Sequence, residues 1–225
     1  MPKRFDAEMK ALKAKVMTMG VVVQEMIQTA MQALVSRDKD LVTKVNELED
    51  QVDRFQVEID DDVVRLMTVY GPVAIDLRFI LMTTRINTEL ERIGDQTVNT
   101  CENVELLLSE PEMKTLTDLP RMSDTAARMV KESLEAFVEK STTKAAEVIK
   151  MDGEVDALDD QIFRELLTYM IKDPENITCS LALLLTSRSL ERIADHATNI
   201  AEEVIYMVKG EDIRHPSVMH PDTSH

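Results

Sequence analysis

LERIGDQTVNTCENV, from Leu90 to Val104, returns 100 residues later as LERIADHATNIAEEV, from Leu190 to Val204. Eight of the fifteen positions are identical, and agreement of this kind at a fixed separation marks an internal duplication. In each copy the apolar residues Leu90, Ile93 and Val104, or Leu190, Ile193 and Val204, fall on one side of a helix. The polar residues Glu91, Asp95, Asn99 and Glu102, and equivalently Glu191, Asp195, Asn199 and Glu202, are spaced four, four and three apart. At 100° per residue each polar set spans about 80° on the far side of its helix.

Upstream the offset between copies becomes 103, pairing Ala33 with Ala136, Val45 with Val148, Val52 with Val155 and Asp53 with Asp156. The duplicated unit is therefore longer than its best-matched helix. Apolar spacings of three and four from Met9 to Leu34 predict a first helix, and the polar stretch SRDKD at Ser36 to Asp40 breaks it with capping side chains. A second stripe from Leu41 to Leu66 runs up to Tyr70-Gly71-Pro72, where Pro72 is expected to open a third helix that continues to about Ser109, before Pro111. The same order follows TLTDLP at Thr115 to Pro120: a stripe from Met122 to Phe137, a break at KSTT, a helix ending at Lys172-Asp173-Pro174, and a last helix to about Lys209.

These readings predict an all-α chain of two tandem three-helix bundles related by internal duplication, over residues 1–113 and 114–210. Helices of roughly 30 residues, about 45 Å long, make both bundles elongated. Residues 211–225, with two prolines and with His215, His220 and His225, are expected to form a disordered tail rather than a metal site.

Composition agrees with helices. Five Gly, seven Pro, no Trp, 4% aromatic residues and 15 Met leave too few turn residues and β-formers for a sheet. The net charge of −16 argues against bare nucleic acid or an anionic membrane surface as partner. No apolar run approaches the roughly 18 residues of a membrane span, and the first segment lacks the apolar core of a signal peptide. The chain is thus expected in the cytoplasm, without direct membrane insertion. Cys101 and Cys179 stand far apart and read as reduced core residues. No Ser-His-Asp order, P-loop or dinucleotide glycine pattern is present, so no organic cofactor is expected.

The second helices carry a matching acidic stripe, Glu49, Asp53 and Asp60 in one half and Asp152, Asp156 and Asp159 in the other. If the second and third helices of a half are neighbours, the two stripes face a groove of hard oxygen donors suited to Mg, Mn, Ca or ferric iron. A solvated charged face is the competing reading. Like charges at i and i+4 cost only about 0.2–0.5 kcal/mol per pair, and Arg92 and Arg192 stand three residues before Asp95 and Asp195, in position for local ion pairs. His196 reads as a surface or groove histidine. Repetition favours a site, because solubility alone gives no reason to place the same acids twice.

Through LERIGDQTVN, LERIADHATNIAEEVIYMVKGEDIRH and GPVAIDLRFIL (Gly71 to Leu81), the sequence resembles the PhoU family, accessory proteins of the phosphate-specific transport system, over residues 5–214. The resemblance implies side-by-side three-helix bundles, usually a homodimer, with iron or zinc clusters on the Glu/Asp-x-x-x-Asp surface of some members. Carried over, the metal ligands are Glu49, Asp53, Glu91, Asp95, Asp152, Asp156, Glu191 and Asp195, with Asn99 and Asn199 in a second tier. It further implies a non-enzymatic negative regulator of the phosphate-starvation response and of phosphate uptake. Such proteins link the ATPase subunit of the phosphate ABC transporter to a membrane sensor histidine kinase. Two other readings stand beside it: a metal-free helical scaffold, and a carboxylate-bridged di-metal oxidase. The latter calls for Glu-x-x-His motifs, and no Glu here precedes a His by three residues.

Overall fold

The computed structural model describes residues 2–110, 118–210 and 212. Six long helices follow in order: α1 (Pro2–Ser36), α2 (Lys39–Tyr70), α3 (Ala74–Leu107), α4 (Asp118–Glu139), α5 (Thr142–Lys172) and α6 (Ile177–Lys209), with one 3₁₀ turn at Pro174–Asn176 before the last. Among the described residues there is no strand. The expectations for the tail, including His215, His220 and His225, lie outside the described residues.

The turns show the duplication at the level of the backbone. Arg37 and Lys140, equivalent at the 103 offset, both take φ 55°. In both, the chain leaves the helix through a left-handed residue and closes on the same carbonyl, with Asp38 N donating to Ala33 O and Ser141 N to Ala136 O. The side chains of Asp38 and Ser141 then cap α2 and α5, accepting from Asp40 N and Lys144 N. The start of α3 differs from expectation. Gly71 ends α2 with φ 53°, Val73 is extended, and the helix begins at Ala74. Pro72 is thus a linker residue, two positions short of the helix.

Within each half the three helices pack against one another, α1, α2 and α3 in the first and α4, α5 and α6 in the second. The halves are joined chiefly by the packing of α3 against α6 and of α1 against α4. The expected bundles are therefore present, but they share one core. Val16, Met19, Val23 and Met26 from α1, Val45 and Val52 from α2, and their counterparts Val148 and Val155 in α5 are all fully buried. Gly20 permits the α1–α4 approach, since a Cβ there would lie 2.1 Å from Leu134 Cδ1. Phe79 of α3 stacks on Phe137 of α4 with ring centroids 4.9 Å apart, and Lys13 lies over the Phe79 ring. Cys101 and Cys179 are buried free thiols. Burial, helped by the Glu105 charge, pushes the Cys101 thiol up to about 12, which makes it unreactive.

The pairing of α3 with α6 is antiparallel. Arg78 reaches Met207 O, Arg85 pairs with Glu203 and Glu89 meets Asn199, while Gln96 to Asn103 lie beside Leu185 to Arg192. This seam runs between the two acidic faces.

Candidate metal centre

The acids come from adjacent helix pairs. α2 supplies Glu49 and Asp53, one turn apart, and the neighbouring α3 supplies Glu91 and Asp95. α5 and α6 repeat the arrangement with Asp152, Asp156, Glu191 and Asp195. Burial matches across the copies. Glu49, Glu91, Asp152 and Glu191 are half-buried, whereas Asp53, Asp95, Asp156 and Asp195 are exposed.

These carboxylates sense one another. Burial, then the charges of Asp53, Asp95, Asp50 and Glu91, push the Glu49 carboxyl above its ordinary value. Glu91 is raised by burial and by Asp95 and Asp53, against the opposing charges of Arg92 and His196. In the second groove, burial with Asp156 and Asp195 raises Asp152, against the Thr198 hydroxyl. Burial with Asp195, Asp159 and Asp156 raises Glu191, and burial with Asp156 raises Asp195.

Arg92, Arg188, Arg192 and His196 oppose this repulsion only from a distance. Among the described residues, none of the eight acids has a Lys, Arg or His partner within 4.0 Å. The local pairs open to Arg92 and Arg192 do not form. Arg92 Nη1 turns to Glu89 at 3.3 Å, and Arg192 lines the seam. The donors, four half-buried and four exposed, anionic and oxygen-only, fit a hard multivalent cation. Among the described residues no three His, Cys, Asp or Glu side chains are already gathered to hold an ion. Within each half the acids lie close enough to feel one another's charge from two adjacent helices.

Several polar neighbours belong elsewhere. Asp60 accepts from Asn87 Nδ2 at 3.1 Å. Asp159 is buried, 2.7 Å from Arg188 Nη1, and accepts from the Ser187 hydroxyl at 2.8 Å. The second-tier pair is also turned away: Asn199 Nδ2 donates to Glu89 Oε2 at 3.0 Å, and Asn99 Nδ2 donates to Gln96 Oε1 at 3.3 Å. His196 Nδ1 lies 2.7 Å from Glu89 Oε2. Burial pushes the Glu89 carboxyl up, but hydrogen bonds from His196 and Asn199 with the charges of His196 and Arg92 outweigh it and hold Glu89 below its usual range. Glu89, Ser189 and Arg188 stand outside the positions at which the copies agree. Their signal lies where the copies differ, Glu89 against Ser189 and Thr88 against Arg188.

The raised carboxyls predict a pH dependence for the metal-free protein. A carboxyl raised in the folded state contributes most below its unfolded value, and that contribution is lost as pH climbs through the folded value. In chelator, the melting temperature is therefore expected to be higher near pH 5 than near pH 7.5, with a smaller difference in Asp195→Asn. The lowered carboxyls Glu8, Asp62 and Glu89 act in the opposite sense, losing their contribution as pH falls from the ordinary carboxylate value through their folded values. A flat melting profile between pH 5 and 7.5 would contradict the repulsion.

A helical, duplicated protein that twice presents four carboxylates without an ion pair among the described residues, between its second and third helices, is the class defined by this fold and site. The chain belongs to the PhoU family: the PhoU domain model matches residues 16–104 and again 119–204. It is 36% identical over 214 residues to the phosphate-specific transport system accessory protein PhoU homolog of Pseudomonas aeruginosa, covering 95% of this chain and 88% of the relative. The crystal structure of PhoU from Pseudomonas aeruginosa superposes with a TM-score of 0.88 at 35% identity, covering 92% of this chain and all of that one. The phosphate transport system regulatory protein PhoU from Streptococcus pneumoniae superposes with a TM-score of 0.86 at 27% identity, covering 93% and 99%.

Proposed function

We propose that this chain is a negative regulator of the phosphate-starvation response and of phosphate uptake. It acts in the cytoplasm as a metal-binding, homodimeric adaptor between the ATPase subunit of a phosphate ABC transporter and a membrane sensor histidine kinase. The observation that carries this reading is the near full-length match to proteins named as accessories of phosphate-specific transport. Among the described residues no helix is long and apolar enough to cross a membrane, which agrees with recruitment to membrane partners rather than insertion. The eight carboxylates, without ion pairs among the described residues, support a cation load, with iron or zinc favoured by the family resemblance and Mg or Mn also suited to oxygen donors. Bound cations would neutralise both grooves and change the charge offered to a partner. Regulation follows if the chain binds one signalling state of its partners more tightly than the other, because equal affinity shifts nothing.

The test is genetic. Deleting the gene is expected to leave phosphate-starvation genes switched on in high phosphate, read by a reporter fusion, and the full-length chain supplied in trans should restore repression. Normal repression in the deletion strain would end the proposal.

A further inference from the structure

One side of the α3–α6 seam can be read against the other, because each side presents duplicated positions. On the first side Glu89 of α3 sits among His196 Nδ1 at 2.7 Å, Asn199 Nδ2 at 3.0 Å and Arg92 Nη1 at 3.3 Å. A carboxylate is thus held by an imidazole, an amide and a guanidinium. On the second side the equivalents of those three donors are Gln96, Asn99 and Arg192, and the equivalent of Glu89 is Ser189. The amide and the guanidinium are kept, but the anion is gone.

A groove of about 240 Å³ occupies the place of the missing side chain, lined by Gln96, Asn99, Arg188, Ser189 and Arg192. Ser189 is only 6% exposed, and its hydroxyl has no hydrogen-bond partner among the described residues. Arg192 makes no ion pair within 4.0 Å with a described residue. Arg188, which has no counterpart on the first side because Thr88 stands there, commits Nη1 to Asp159 and keeps its other N–H groups. Lacking a carboxylate, Asn99 turns its amide to Gln96 at 3.3 Å. Guanidinium, hydroxyl and amide donors outnumber the single carboxylate, Glu102, around this groove, and so have the composition of an oxyanion site. Glu102 at the same groove opposes an anion, so affinity is expected to be moderate.

We propose that the second side of the seam binds a small oxyanion, which takes the place beside Ser189 that the Glu89 carboxylate fills in the other repeat. The site is separate from the eight groove acids and stands whether or not those hold metal.

The test uses the full-length protein in chelator at fixed ionic strength, titrated calorimetrically with inorganic phosphate and, in a parallel arm, with acetate. Saturable binding at one site per chain is expected in at least one arm, and the stronger arm tells whether a tetrahedral or a planar oxyanion is preferred. Arg192→Ala should weaken it at least tenfold. Ser189→Glu should abolish it while leaving the melting temperature unchanged or higher, since this variant rebuilds the internal carboxylate. Glu102→Gln should tighten it, and Glu89→Ser should raise the stoichiometry towards two. No saturable binding in either arm, or binding unaltered by both Ser189→Glu and Arg192→Ala, overturns the proposal.

Discussion

Phe137→Ala is expected to lower the unfolding free energy by about 3–5 kcal/mol, the usual result of emptying a buried aromatic site. Phe137 is fully buried and stacks on Phe79, itself 1% exposed, with ring planes 14° apart. Deletion therefore removes the transfer term, leaves a cavity, and breaks a ring pair worth about 0.5–1.5 kcal/mol in other proteins. Against a total stability of about 5–15 kcal/mol, that loss is severe. The position matters as much as the magnitude, since α3 belongs to the first repeat and α4 to the second. Urea denaturation followed by far-ultraviolet circular dichroism should give one cooperative transition moved to lower urea. Phe137→Leu, closer in volume, should move it much less. A loss below about 1 kcal/mol for alanine would mean that Phe137 is not tightly packed at the join between the repeats.

The second large effect concerns the grooves. Protein purified without chelator is expected to carry metal by elemental analysis, and Asp95→Ala and Asp195→Ala should each lose the share belonging to one groove. Outer-shell partners of metal ligands are worth about 10–100-fold in affinity, and loss of a ligand should exceed that range. Stability in chelator should move the other way. Each substitution deletes like-charge contacts worth about 0.2–0.5 kcal/mol apiece, so the metal-free variants should melt at or above the wild-type temperature. Opposite signs for metal content and metal-free stability distinguish a binding groove from a solvated surface. Near-zero metal in the wild type and in both variants would instead favour the metal-free scaffold.

The helices and the two acidic grooves were legible because both rest on periodicity, which fixes the face of a helix on which a residue lies. Glu91 and Asp95 share a face by arithmetic alone, and their facing of Glu49 and Asp53 needed only that neighbouring helices pack together. The seam was not legible. That Glu89 meets Asn199, and Gln96 lies across from Arg192, depends on the direction and register in which α3 packs on α6, which local spacing does not encode. Asp159 was misread for a related reason. Its spacing places it near the acidic stripe, yet Ser187 and the half-exposed Arg188 on the adjacent helix hold its buried carboxylate. Pro72 suits a first helical turn, but the left-handed Gly71 and extended Val73 delay that turn to Ala74.

α3 and α6 each wall one acidic groove on one flank and half of the seam on the other. Sliding or tilting one of these rods along its antiparallel mate displaces every wall it carries, so the three clefts are mechanically ganged. A cation drawn into an outer cleft and an anion seated in the middle one would then act on the same pair of rods.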